Sequence, residues 1–168
     1  EPGDIDLFAA SSGPGSFTGL RIGICTIKAM AFALGKPVFS VPTLDALAYN
    51  IGDFDGAICP VMDARNDQVY TAVYIRRGLQ FERVEDYMGV HISELTGILN
   101  KIEQKVIFTG DAAVIHRSFF EKELGDKFVL AQRNSIIQRA SSVALIAASQ
   151  YMQDGAESCF DMVPFYLR

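Results

Sequence analysis

The sequence predicts an α/β fold with parallel strand pairing, arranged as two lobes. Two observations carry that prediction. The chain opens strand, helix, strand, helix, the order that parallel strands joined by a right-handed crossover require. Its character then changes around Gly52–Gly56 to β-rich runs joined by a hairpin-like connection. The composition fits a packed domain: 168 residues, 49% hydrophobic and 21% charged.

The elements follow in order. Ile5–Ala10 is a short apolar run closing at Ser11-Ser12-Gly13-Pro14-Gly15, a buried strand entering a turn. A long helix is expected from about Thr18 to Leu34, stopped by Gly35 and Pro37. Val38–Val41 reads as a strand and Leu44–Asn50 as a short helix capped by Thr43. Ala57–Met62 and Gln68–Ile75 are strands linked through Asp63-Ala64-Arg65-Asn66-Asp67, with Phe81–Val90 as a third beside them. Ser93 caps a helix to Asn100, and Lys105–Thr109 is a strand. Helices are expected over Ala113–Leu124 and Ser142–Met152, the latter stopped by Gly155.

Charge and cysteine content narrow the function. The net charge is −5 and the pI about 5.0. Unaided nucleic-acid binding relies on Lys and Arg replacing phosphate counterions, so this balance argues against it unless a partner supplies the basic surface. Cys25, Cys59 and Cys159 are odd in number and far apart, which reads as three reduced core thiols and a cytoplasmic protein. The longest apolar run is broken by Lys28 and reads as too short to cross a bilayer. The start, Glu1-Pro2-Gly3-Asp4, runs at once into a strand, from which a missing N-terminal segment is expected.

Ser12-Gly13-Pro14-Gly15-Ser16-Phe17-Thr18-Gly19-Leu20-Arg21 is the most informative stretch. A glycine-rich loop between strand and helix can cradle phosphate on backbone N–H groups. The P-loop spacing fails, because no Gly-Lys-Ser/Thr follows at the required distance. The dinucleotide fingerprint fails because Thr18 occupies the third glycine position, and a nucleophile elbow fails because Pro14 and Thr18 flank Ser16. A tight turn with close backbone packing explains the glycines as well.

The following helix is apolar nearly all round. At 100° per residue Leu20, Ile24, Ile27, Ala31 and Leu34 form a core stripe, while Ile22, Cys25, Thr26, Ala29, Phe32 and Ala33 form the opposite face. Charge is confined to a narrow wedge at Arg21 and Lys28. Such a helix must be buried on both sides, so the outer face is read as a helix-to-helix contact with a partner. Burial under the molecule's own helices is the alternative.

Four segments together resemble the bacterial TsaB (YeaZ) family: the stretch Ser12–Gly23, then Pro42-Thr43-Leu44-x-Ala46-Leu47, then Asp63-Ala64-Arg65 with Val69-Tyr70, and finally Pro164-x-Tyr166-Leu167-Arg168. They occur in the family's order and span the chain. The resemblance implies an actin-like, ribonuclease-H-like fold in two lobes, with residues 1–45 as the remainder of an incomplete N-terminal lobe and 46–168 as the C-terminal lobe. Family members carry three strands and a helix ahead of the strand matched by Ile5–Ala10, roughly fifty residues. The resemblance also implies a non-catalytic subunit without a cofactor of its own. Such a subunit pairs with the paralogous catalytic subunit TsaD through N-lobe helices and works with the ATPase TsaE on threonylcarbamoylation of tRNA. A homodimer through the same helix face is a further expectation, and tRNA is expected only within the complex.

Two enzyme readings compete. In a metallopeptidase-like relative the paralogue's metal ligands would fall at Thr43-Leu44-Asp45-Ala46-Leu47, where positions 43 and 47 carry none, and His91 and His116 lack zinc spacing and read as surface or loop histidines. An ATP-binding actin-fold enzyme would use glycine-rich hairpins, but Asp63-Ala64-Arg65-Asn66 has no glycine and Gly110-Asp111-Ala112-Ala113 is an equally good helix start. Asp63 and Arg65 are read as fixing the hairpin through side-chain hydrogen bonds, with a role for Arg65 at a partner or tRNA surface left open.

Overall fold

A computed structural model describes residues 1–77, 80–155 and 158–167. The chain divides into two compact units, the first made of Glu1–Ala46 with Arg139–Tyr166 and the second centred on Leu47–Gln138. This departs from the sequence-based division, which assigned all of 46–168 to one lobe. The last long helix and the segment after it return to the first unit.

The first unit is built on two parallel strands, β1 (Phe8–Gly13) and β2 (Val38–Pro42), with Phe8 opposite Val38 and Ser11 opposite Val41. Between them runs α1, Phe17–Leu34. The strand alternation sends Phe8, Ala10 and Val38 to one face, where they meet Ile24 and Ala31 of α1. It sends Ala9, Phe39 and Val41 to the other, against Val143, Ile146 and Ala147 of the terminal helix, Ala140–Asp154. Each sheet face therefore carries one helix. β1 starts three residues later than expected and extends through Gly13 into the glycine-rich stretch, a 3-10 turn occupying Pro2–Asp4 instead.

The second unit holds a five-stranded mixed sheet in the order β5-β4-β3-β6-β7. Its strands are β3 (Ala57–Arg65), β4 (Gln68–Arg77), β5 (Gln80–His91), β6 (Val106–Thr109) and β7 (Phe128–Leu130). β3, β4 and β5 form an antiparallel meander, and β6 and β7 add in parallel. The short helix α2 (Thr43–Tyr49) spans the boundary between the two units, while α3 (Ile92–Leu99), α4 (Asp111–Ile115) and α5 (Arg117–Leu124) supply side chains to one face of the sheet. Val61, Val69, Leu95, Leu99, Phe108 and Phe120 fill that core, with Phe108 and Phe120 rings 4.7 Å apart.

Three local expectations change. The helix expected over Ala113–Leu124 is two helices, broken at His116, whose backbone (φ −103°, ψ 20°) leaves the helical well. β7 and a four-residue helix α6 (Arg133–Ile136) were not foreseen, being too short to show a period. Helix α3 is capped by His91 rather than Ser93: the His91 Nδ1 accepts from the Ser93 N–H at 3.3 Å. The terminal helix is α7, closed at Gly155, whose N–H bonds Tyr151 O.

Candidate partner-binding face

The glycine-rich stretch is a turn that locks β1, α1 and the chain's last residues together. Gly13 has φ 131°, and a Cβ placed there would collide with the Phe165 carbonyl oxygen. The backbone pairs at the same spot, the Phe165 N–H donating to Ser12 O at 2.7 Å. Pro14 is buried, and Gly15 packs near Leu20. Ser16 then caps α1, its Oγ accepting from the Gly19 N–H at 3.2 Å. With Ser16 as cap, α1 starts at Phe17, one residue before the expected start near Thr18. At the far end Gly35 sits in the left-handed region (φ 61°) and the Lys36 N–H returns to Ala31 O, ending the helix.

Helix α1 buries Ile24 (2% exposed) and Ala31 (1%), with Leu20 and Ile27 partly covered. Leu34, expected in the core stripe, lies exposed at the last turn. On the opposite side Ile22, Cys25, Thr26, Ala29, Phe32 and Ala33 are all exposed, Ile22 at 63% and Phe32 at 68%. Phe17, Thr18 and Gly19 are exposed at its start. Cys25 is therefore a surface thiol, which corrects the reading of three core cysteines. Cys59 is fully buried and Cys159 half-buried. The outward arc from Phe32 round to Leu34 covers roughly 200° at about 100° per residue and contains no charged side chain.

The charged wedge has a use that the sequence did not reveal. Residues 158–166 run along that flank of α1. Lys28 Nζ donates to Phe160 O at 3.2 Å and Met162 O at 3.0 Å. The Arg21 Nε–H donates to Tyr166 Oη at 3.1 Å, and its guanidinium lies 3.9 Å from the Phe17 ring centroid. Phe17 stacks on Tyr166 at 5.6 Å, and Phe32 meets Phe160 edge-on at 5.8 Å. Met162 is buried against Ile24 and Ala31. Two of the motif segments noted above, 145 residues apart at Arg21 and Tyr166, are thus neighbours in space. Arg168, the last residue of the terminal motif, lies outside the described residues.

The helix itself also needs a correction. Its 18 residues, with mean hydropathy 1.4, are enough by length and composition to cross a membrane. Its packing argues for a different role, because its inner stripe covers a two-stranded sheet and its cations bond residues 160–166. Extended backbone with open sheet edges is not accommodated in lipid.

The other candidate residues are engaged in local structure. The Asp63 Oδ1 accepts the Arg65 N–H at 2.9 Å, and the Asp63 N–H donates to Asp111 Oδ1 at 3.1 Å. Arg65, Asn66 and Asp67 all have positive φ (68°, 52° and 57°), the tight return of the β3–β4 hairpin. Arg65 enters that turn through its backbone, not through its guanidinium, which forms no ion pair among the described residues. Asp111 Oδ1 also accepts the Ala112 N–H, and the Gly110 N–H donates to Ile136 O, so that segment is occupied by its own fold. His116 Nδ1 lies 3.9 Å from Asp67 Oδ1, with its Nε2 buried and without a partner among the described residues. Among the described residues no three His, Cys, Asp or Glu side chains converge in a way that would hold a metal ion.

Comparison with known proteins decides the family. A family model described as TsaD, tRNA N6-adenosine threonylcarbamoyltransferase, matches residues 1–168. The tRNA threonylcarbamoyladenosine biosynthesis protein TsaB of Bacillus subtilis strain 168 is 32% identical over 167 residues, 99% of this chain and 71% of that protein. The chain belongs to the TsaB/YeaZ family. A TsaB of Haemophilus influenzae is 25% identical over 98% of the chain and 70% of its own length. A solved Pseudomonas aeruginosa protein, described as uncharacterized with similarity to peptidase YeaZ, superposes with TM-score 0.83 at 22% identity, covering 100% of this chain and 76% of that one. Together the family model and this structural neighbour support the actin-like α/β fold.

Proposed function

We propose that the chain is a non-catalytic subunit of the cytoplasmic machinery that makes tRNA threonylcarbamoyladenosine, and that it docks a TsaD-type paralogous subunit on the outer face of α1. The observation that carries this reading is the exposed, uncharged arc bearing Ile22, Cys25, Thr26, Ala29, Phe32 and Ala33. A helix has one stripe to bury against its own sheet, and a second apolar face left in water favours association. Small side chains at Gly19, Gly23, Ala29 and Ala33 allow close approach of another helix. A paralogue of the same fold carries its own counterpart of α1, so the two can meet about a pseudo-two-fold axis.

The non-catalytic part of the proposal is supported by how the titratable side chains are used. Asp63 and Asp111 hold a turn, and His91 caps a helix. The TsaE-type ATPase and tRNA then join through the assembly, which fits the net charge of −5. The test is to mix the protein with the TsaD-type subunit of the same organism, look for a 1:1 complex on gel filtration, and measure modified adenosine in a reconstituted reaction. No complex at micromolar concentrations, or a homodimer that excludes the paralogue, would overturn the docking. Threonylcarbamoyl transfer by this chain alone would overturn the non-catalytic role.

A further inference from the structure

The segment that follows α7 is placed in a way that the α1 reading does not by itself require. It is a strap lying antiparallel along one flank of α1, a turn closed by the Asp161 N–H on Ser158 O followed by residues 162–166 without regular secondary structure. Phe160 sits at the helix C-terminal end against Phe32, Met162 is buried at mid-helix under Lys28, and Tyr166 sits at the N-terminal end against Phe17 and Arg21.

The strap is fastened by its backbone, by the buried Met162 and half-buried Cys159, and by the Arg21–Tyr166 bond, leaving other side chains outward. Phe160 (72% exposed) and Val163 (63%) face solvent, and Tyr166 is also exposed. Asp161 is the single charged residue between positions 158 and 166. The aromatic pairs Phe17–Tyr166 and Phe32–Phe160 bracket the Arg21–Lys28 wedge, and through Phe32 the strap adjoins the uncharged outer arc of α1. Aromatic side chains bordering an apolar centre are the composition that protein–protein contacts concentrate. Along this flank the cations are engaged with the strap, so nothing there favours a phosphate backbone.

We infer that the strap is the second wall of the docking face, so that the TsaD-type subunit is held by α1 and residues 158–166 together. Phe160, Val163 and Tyr166 are then contact residues, and Lys28 is the positioning residue that holds the wall in place. The inference rests on the docking proposed above for α1. It commits to the same occupant, a paralogous subunit presenting an apolar helix, because the strap meets that arc at Phe32 and presents Phe160, Val163 and Tyr166 with Asp161 as its one charge.

The test uses the full chain and calorimetric titration with the TsaD-type subunit. Val163→Arg and Phe160→Ala are expected to weaken binding tenfold or more while melting temperature stays at the wild-type value, both side chains being exposed. Amide hydrogen exchange in residues 158–166 of the wild type is expected to slow on complex formation. Lys28→Met is expected to speed exchange of those amides in the free protein and to weaken binding. If Ala29→Arg abolishes binding but Val163→Arg and Phe160→Ala bind as wild type, the strap inference is overturned and the α1 reading stands. Should the wild type fail to bind the paralogue at all, the α1 reading itself fails and takes the strap with it. A Val163→Arg chain that loses self-association yet keeps the paralogue would assign the strap to a homodimer, which also overturns the inference.

Discussion

Ala29→Arg separates a partner face from an internal core. Ala29 is exposed on α1, about half a turn round from the buried pair Ile24 and Ala31. Arg is a good helix former, and surface substitutions away from caps and cores stay within about 0.5 kcal/mol, so the monomer should melt within a few degrees of wild type. In the complex the guanidinium would stand in an uncharged arc between Ile22 and Ala33 and would be desolvated without a partner. Leaving a charge unpaired in a packed contact costs about 2–4 kcal/mol, or roughly 30- to 1,000-fold in Kd. Calorimetric titration with the TsaD-type subunit, beside a thermal melt of each chain, reads both numbers. A chain that unfolds would show that the face is internal. A variant that folds and binds as wild type would show that the contact lies elsewhere.

Four further outcomes follow from the described geometry. Burial pushes the Cys59 thiol up to about 12 from 9.0, the Thr71 hydroxyl opposing this weakly. The folded state resists deprotonation more than the unfolded one, so this stability is intact below about pH 9 and is lost at up to about 1.4 kcal/mol per unit as pH rises towards 12. Urea titrations at pH 8 and 10.5 check it, and Cys59→Ser should flatten the difference. With a thiol reagent at pH 8, Cys25 should react in the native protein and be shielded by the paralogue, while Cys59 reacts only on unfolding. Gly13→Ala should destabilise by about 2 kcal/mol or more, since the new Cβ meets the Phe165 backbone at positive φ, and denaturant melts read the loss. Ser16→Ala should remove the α1 cap at a cost of about 1 kcal/mol, measured the same way.

The sequence by itself determined the local structure and the family. The period of α1, the strand–helix–strand–helix opening and the β-rich middle are written in neighbouring residues, because side-chain alternation and helical spacing act over a few positions. The same periodicity marked all six outer-face residues that the structure leaves exposed. Short pieces were illegible for the opposite reason: β7 and α6 have three and four residues, and the break at His116 is a backbone choice with no signal of its own. Only the tertiary structure decided which distant segments meet. It returned α7 to the first unit, and it turned Arg21 and Lys28 from a solvated wedge into fasteners for residues 132 to 145 positions away. It also explained why Gly13 carries no side chain, which depends on Phe165. No local pattern encodes these contacts. Each is fixed by where the packed core of β1, α1 and Met162 sends the rest of the chain.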